Sequence, residues 1–286
     1  MAYASSLFKI LRPKQWVKNI LLLAAPFAAG KIFQGSVLRE VTEAFISFSL
    51  IASAGYIIND LKDVERDRNN IHKAHRPLAS GALSVNAALV ELAFCFIVGF
   101  LVAFQLSGYY QLALLIYFAM TAAYSFGLKH QPVVEFVIVA FGFTLRAIAG
   151  AAATHLPITQ WFLVVTGFGS LVIVIAKRIA ESTNTSHASM RPVIEQYPPI
   201  FLRFVLAVSA SVTLTAFSLW AFGISERGPY AQMALIPVCL GLFRYIWMLE
   251  KGEGERPEEL LLKDVTLLLC SFATVLLLFL AVYRAG

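Results

Sequence analysis

The stretch Asn59-Asp60-Leu61-Lys62-Asp63-Val64-Glu65-Arg66-Asp67-Arg68 interrupts an otherwise apolar chain with carboxylates at helical spacing. If it continues the preceding helix, Asn59, Asp63 and Asp67 fall at i, i+4 and i+8 on one face, with Asp60 beside them. Like charges so spaced repel, so a cation is expected against them. A carboxamide and carboxylates are all-oxygen ligands, suited to a hard ion such as Mg²⁺. A solvated amphipathic turn is the plainer alternative.

Other polar groups stand out against the same background. Arg76, in the loop Arg76-Pro77-Leu78-Ala79-Ser80-Gly81, can clamp a phosphate in bidentate fashion, and Lys73 can add a point charge or touch lipid headgroups. Ser84 is a candidate N-cap for the helix that follows. Lys14, Lys18 and Asn19 line the opening of the first apolar run; Lys14 reads equally as a headgroup or a substrate contact, while Lys18 and Asn19 lie deeper, where a bare charge needs a cavity or a partner. Tyr124 and Lys129 sit together at one helix end. Arg146, the only basic residue in the run 133–153, must pair with something: Glu135, a carboxylate cluster or a bound anion. Lys177-Arg178-Ile179-Ala180-Glu181 has the spacing of a helix salt bridge. Asp264 opens the last apolar run, facing either water or the site.

The elements that position these groups are membrane helices. Hydrophobic residues make up 59% of the 286 residues and charged residues 14%, and the mean hydropathy is +0.74, far from a soluble domain. Apolar segments long enough to cross about 30 Å of hydrocarbon fall near 17–34, 41–59, 84–106, 109–127, 133–153, 158–177, 200–222, 230–249 and 264–284. The expected fold is an all-α integral membrane bundle of about nine transmembrane helices around a cytoplasm-facing polar cavity, one domain over 1–286. Lys and Arg concentrate in alternate connections, among them Lys62, Arg66, Arg68, Lys73, Arg76, Lys129, Lys177, Arg178, Arg191, Lys251, Arg256 and Lys263, which places those connections and the N-terminus in the cytoplasm. The net charge of +6 is thus topology first, and second a reason to expect anionic ligands on that face. No removable signal peptide is read in the first twenty residues.

Several chemistries find no support. Cys95, Cys239 and Cys270 stand singly in apolar runs, without disulfide or zinc spacing. No Walker A motif, GxSxG or carboxylate-embedded histidine is present, and His72, His75, His130, His155 and His187 all lie in loops or at span ends. Nothing resembles a general base, which suits a reaction whose nucleophile is already anionic and whose leaving group departs with metal assistance. No nucleic-acid partner is expected, and oligomeric state stays open. A transporter is a different class of reading, but no matching pair of Gly/Pro-broken spans supports it.

These residues give the chain a family resemblance over essentially its whole length. It resembles the UbiA superfamily of intramembrane prenyltransferases, whose nine-helix bundle carries an N-D-x-x-D-x-x-x-D motif after helix two, here Asn59 to Asp67. The opening Arg12-Pro13-Lys14-Gln15-Trp16-Val17-Lys18-Asn19, the Arg76 to Gly81 loop, Tyr124-Ser125 to Lys129 and Pro257-Glu258-Glu259 to Asp264 resemble the branch that moves phosphoribosyl groups onto polyprenyl (decaprenyl) phosphate in cell-envelope biosynthesis. Prenyl-transferring members carry a second D-x-x-x-D after helix six, where this chain has Lys177 to Glu181. A Lys-Arg pair suits a donor with an extra phosphate.

The resemblance implies a Mg²⁺-dependent transfer of 5-phosphoribosyl from phosphoribosyl pyrophosphate to polyprenyl phosphate at the cytoplasmic face of the cell membrane. Asn59, Asp60, Asp63 and Asp67 would hold the metal, with Arg76 and Lys129 helping on the pyrophosphate. Lys177 and Arg178 would take the other phosphate, and Lys14, Lys18 and Asn19 the lipid phosphate. Tyr124, Arg146, Glu181 and Asp264 would line the substrates. Transfer of a prenyl group from a prenyl diphosphate to a small acceptor is the alternative within the family.

Overall fold

The computed structural model describes residues 2–71, 73–183, 193–223, 229–252, 260 and 263–284. The described residues are helical or irregular, with no strand among them. The chain divides into two compact units, one of residues 1–129 with 145–157 and one of 130–144 with 158–286.

In the first unit, helix α1 (Ala2–Ile10) is followed by a 3₁₀ segment, Pro13–Leu23, and a short α2 (Ala24–Ala28). Pro13 opens the 3₁₀ segment, as its fixed φ and missing N–H allow, and Arg12 ahead of it takes a left-handed conformation at φ 52°. The expected span 17–34 is therefore not one continuous α-helix. Next come α3 (Gly35–Lys62), α4 (Val64–Arg68), α5 (Val85–Ala103) and α6 (Gly108–Phe126), with α3 packed against α5, α6 and the 3₁₀ segment. Ser84 caps α5 by accepting from the N–H of Ala87 at 3.2 Å, as its position predicts, and Ser107 caps α6 through Tyr110 N–H at 3.1 Å. The core is built on Phe48, Ile51, Tyr110, Leu114 and Tyr117 with Leu145 and Ala149 from the end of α7 (Val134–Ala153).

Backbones approach closely in this unit. A Cβ on Gly150 would lie 2.0 Å from the carbonyl oxygen of Leu22, so α7 and the 3₁₀ segment touch main chain to main chain. Without a strong hydrophobic drive between helices in lipid, such small-residue contacts carry the packing.

The second unit holds the start of α7, α8 (Gln160–Thr183), α9 (Pro199–Gly223), α10 (Tyr230–Met233), α11 (Leu235–Glu250) and α12 (Val265–Tyr283). Its core gathers Val172, Ile175, Ile179, Leu202, Leu206, Tyr245 and Leu249, with a smaller cluster around Phe217, Ala221 and Ala281. The expected helix start at Pro257-Glu258-Glu259 and the loop residues His72, His187, Arg191 and Arg256 lie outside the described residues.

Among the described residues seven helical stretches, with α10 and α11 counted as one run from Tyr230 to Glu250, are long and apolar enough to cross a membrane, against about nine expected. The first expected span, which runs through the 3₁₀ segment and the short α2, is not one long helix and so is not among them. Helix α6, with 19 residues, falls outside the seven because Tyr109, Gln111, Thr121, Tyr124 and Ser125 dilute its hydropathy. Large apolar side chains face outward along the helices, including Val90, Phe94, Ile97 and Leu101 on α5, which is the inverse of a soluble surface. The chain is a multi-pass membrane protein.

Candidate active site

The acidic stretch does not form one continuous helix. α3 ends at Lys62 and α4 starts at Val64, with Asp63 at φ −100°, ψ 7° as the joint between them. The spacing of four survives in the backbone, since Asp63 N–H donates to Asn59 C=O at 3.0 Å and Asp67 N–H to Asp63 C=O at 2.7 Å. The side chains diverge. Asp60 and Asp67, 3% and 2% exposed, are brought together by Arg76, whose Nη1 donates to Asp60 Oδ1 at 3.0 Å and Asp67 Oδ2 at 2.6 Å. Asp63 turns to Lys129, whose Nζ lies 2.6 Å from its Oδ1.

Two further cations complete this cluster. Arg12 Nη2 donates to the same Asp60 Oδ1 that Arg76 uses, and its guanidinium lies 5.2 Å from the ring centroid of Tyr56. Lys73 Nζ is 4.0 Å from Asp67 Oδ1. Arg12 belongs to the opening motif but gave no sign in the sequence that it reaches Asp60, because that contact depends on its left-handed backbone. Trp16 helps fix the segment, donating from Nε1 to Ser53 Oγ at 3.1 Å while Ser53 donates to Leu11 C=O at 2.9 Å.

No group of three His, Cys, Asp or Glu side chains converges as a metal site among the described residues. The break at Asp63 divides the expected ligand set of Asn59, Asp60, Asp63 and Asp67 in its present contacts. Asp60 and Asp67 form the acidic pair, and the break at Asp63 sends the third carboxylate to Lys129. The oxygen chemistry still fits Mg²⁺, which is commonly held by one or two carboxylates with the remaining oxygens from substrate phosphates.

Asn19 is fully buried and held by protein side chains. Its Nδ2 donates to Ser49 Oγ at 2.9 Å and its Oδ1 accepts from Arg146 Nε at 2.8 Å. Arg146 also donates from Nη2 to Tyr117 OH at 2.9 Å, and its guanidinium lies 5.1 and 4.8 Å from the ring centroids of Phe48 and Tyr117. The carboxylate partner proposed for Arg146, Glu135, is taken by Arg178. An amide, a phenol and two aromatic faces hold Arg146 instead, and they tie the 3₁₀ segment, α3, α6 and α7 together. Lys14 and Lys18 are exposed, and Tyr124 is half-buried.

In the second unit, Arg178 is 2% exposed and makes a bidentate pair with Glu135, Nε to Oε1 and Nη2 to Oε2, both at 2.7 Å. Its Nη1 donates to Glu181 Oε2 at 2.9 Å. Tyr197 OH donates to Glu135 Oε1 at 3.4 Å and accepts from Val133 N–H at 2.8 Å; burial is the main cause that pushes its phenol up to about 12. Adjacent helical residues point about 100° apart, so Arg178 turns inward to carboxylates while Lys177 is exposed. Asp264 is the N-cap of α12, accepting from Leu267 N–H at 2.9 Å, and Arg244 holds it through Nη2 at 2.8 Å and Nε at 3.3 Å. The hydrogen bonds from Arg244 are the largest cause keeping its carboxyl below the usual range. Arg244, missed in the sequence, was findable by the rule applied to Arg146: a guanidinium inside an apolar run needs a partner.

Comparison with known proteins agrees with this architecture. The chain is 38% identical to the decaprenyl-phosphate phosphoribosyltransferase of Corynebacterium glutamicum over 98% of its own length and 87% of that protein's. It is 39% identical to the protein of the same name from Mycobacterium tuberculosis, over 93% and 91% of the two chains. The structure of a UbiA homolog from Archaeoglobus fulgidus bound to GPP and Mg²⁺ superposes with a TM-score of 0.74 at 18% identity, covering 98% of this chain and 99% of that one, and so shares its fold. Residues 20–272 match the UbiA prenyltransferase family, and the chain belongs to that family.

Proposed function

We propose that the protein transfers 5-phosphoribosyl from phosphoribosyl pyrophosphate to a polyprenyl phosphate, releasing pyrophosphate, at the cytoplasmic face of the membrane. The observation that carries the reading is the identity of 38% and 39%, along nearly the whole chain, to relatives named for that activity. The cluster in the first unit supplies the chemistry. An oxygen of the lipid phosphate forms a bond to the anomeric carbon as the bond from that carbon to pyrophosphate breaks. The nucleophile is already an anion, so no side chain has to remove a proton from it.

Arg76 is central to this step. It holds Asp60 and Asp67 through Nη1 alone, and a guanidinium has five N–H donors in a planar fork, so it can keep both carboxylates and still meet a phosphate oxygen. Lys129, 11% exposed beside Asp63, supplies a second positive charge to the leaving group. Mg²⁺ bound by Asp60 and Asp67 would neutralise charge on the departing pyrophosphate. Arg12 keeps Asp60 oriented whichever partner Arg76 engages. The basic side chains act mainly by preorganised electrostatics and positioning. Lys14 and Lys18, exposed on the 3₁₀ segment, are the candidates for the lipid phosphate.

The test uses purified protein in lipid with Mg²⁺, labelled phosphoribosyl pyrophosphate and decaprenyl phosphate, beside a second reaction with labelled prenyl diphosphate and a phenolic acceptor. Label appearing in the lipid fraction of the first, and lost on chelation, is the expected result. Product only in the second would replace this reading with prenyl transfer.

A further inference from the structure

The outer face of α11 has a construction that the proposed transfer reaction does not use. Ile236, Leu240, Phe243 and Trp247 recur at helical spacing and are 72%, 53%, 60% and 46% exposed. The stripe runs straight into charge. Lys251 follows Trp247 by four residues as the helix ends, and Arg244 precedes it by three, so all three share a face. Both cations engage the same indole: Lys251 Nζ lies 3.7 Å from the Trp247 ring centroid and the Arg244 guanidinium carbon 4.4 Å.

Like charges gathered on one ring repel, and their balance is uneven. Arg244 has Asp264 as a carboxylate partner. Lys251 is exposed, with no ion pair to a carboxylate among the described residues. An apolar stripe, an aromatic at its end and a cation beyond it follow the order of an acyl chain, a glycerol backbone and a phosphate across the membrane boundary.

We propose that this face of α11 binds an anionic phospholipid, with an acyl chain along Ile236, Leu240 and Phe243, the headgroup region against Trp247 and the phosphate at Lys251. Charge complementarity selects the occupant. A zwitterionic lipid offers the same chain and phosphate but brings its own ammonium to a position already holding two cations, whereas an anionic headgroup brings none.

The experiment reconstitutes the full chain in phosphatidylcholine vesicles containing either phosphatidylglycerol or phosphatidylcholine brominated on its acyl chains, at equal mole fraction, and reads tryptophan quenching. Trp247→Phe identifies the Trp247 share of the signal against Trp16, Trp161 and Trp220. Brominated phosphatidylglycerol should quench Trp247 as though enriched about five-fold over the zwitterionic lipid, the preference one basic side chain confers at an anionic surface. Lys251→Gln should abolish that preference and Lys251→Arg should retain it, with helical content and thermal unfolding of all variants matching the parent. Equal quenching by the two lipids in the parent, or a preference that survives Lys251→Gln, overturns the proposal. Neither outcome bears on transferase activity, so the two readings stand or fall separately.

Discussion

The two units each contain arginine among carboxylates, and they treat it in opposite ways. Around Asp60, Asp63 and Asp67 the ion pairs are made by Arg12, Lys73, Arg76 and Lys129, which are between 11% and 28% exposed. Partners are shared there, two guanidiniums on one oxygen of Asp60 and two carboxylates on one nitrogen of Arg76. Around Arg178, among the described residues, two carboxylates meet one guanidinium, the fork with Glu135 is complete, and both of those side chains are 3% exposed or less. A shared, partly exposed arrangement with cations in excess can exchange a partner for an arriving phosphate. A closed bidentate pair has less to gain from such an exchange. Charge at a helix end is thus ambiguous until its saturation is known.

Substitutions can break or sharpen that contrast. The largest effect is expected from Asp67→Asn, which removes one of the two carboxylates proposed to hold Mg²⁺ and should lower turnover by about 10²-fold or more, the scale seen when a preorganised electrostatic group is removed, with a smaller change in thermal unfolding because Arg76 keeps Asp60. Full activity would show that the first cluster is structural too. Glu135→Gln should do the reverse, leaving Arg178 with Glu181 as its charged partner and destabilising the protein by about 1.5–3 kcal/mol, while turnover per folded molecule stays near that of the parent. Loss of activity without loss of stability would make the second cluster catalytic. Asn19→Ala removes an acceptor from Arg146 and a donor to Ser49, and unfolding in detergent should record a loss of about 1–3 kcal/mol. An unchanged midpoint would remove the case for Asn19 as a structural tie.

The smallest effect concerns pH. The Asp264 carboxyl is held low by Arg244 in the folded state, so its contribution is present above the ordinary Asp value of about 3.9 and is lost as pH falls below it. Stability of the parent should therefore drop below about pH 4 more steeply than that of Asp264→Asn, as read from melting curves across the acid range. Parallel curves would show that the contact does not survive in solution.

Much of the architecture was legible because hydropathy and capping are local. Span boundaries from α5 to α12 fall within a few residues of their expected places except at the C-terminal end of α8, and Ser84 caps the helix it was expected to cap. The 3₁₀ segment was not legible, since Ile20 to Ala25 is an unbroken apolar run and the segment's contacts with Ser49, Ser53 and Gly150 lie far away in sequence. The site was legible as residue types and less so as pairings. Asp60, Asp67 and Arg76 were named and do meet, whereas Arg12 was quoted only as part of a motif. Arg178 makes the i,i+3 pair with Glu181 that its spacing offered, but its fork with Glu135 and the tie of Asn19 to Arg146 were not legible, because nothing in a sequence tells which distant groups have already found each other.

The joint at Asp63 separates the acidic motif into two independently phased parts. One extra residue between Asp63 and Asp67 would swing Asp67 by about 100° around α4 and away from Arg76, yet leave Asp60 fixed by α3 and Arg12. The same insertion within α3, ahead of Asn59, would carry the motif around together. Length changes in this region should therefore differ in consequence according to which side of a single residue they fall on.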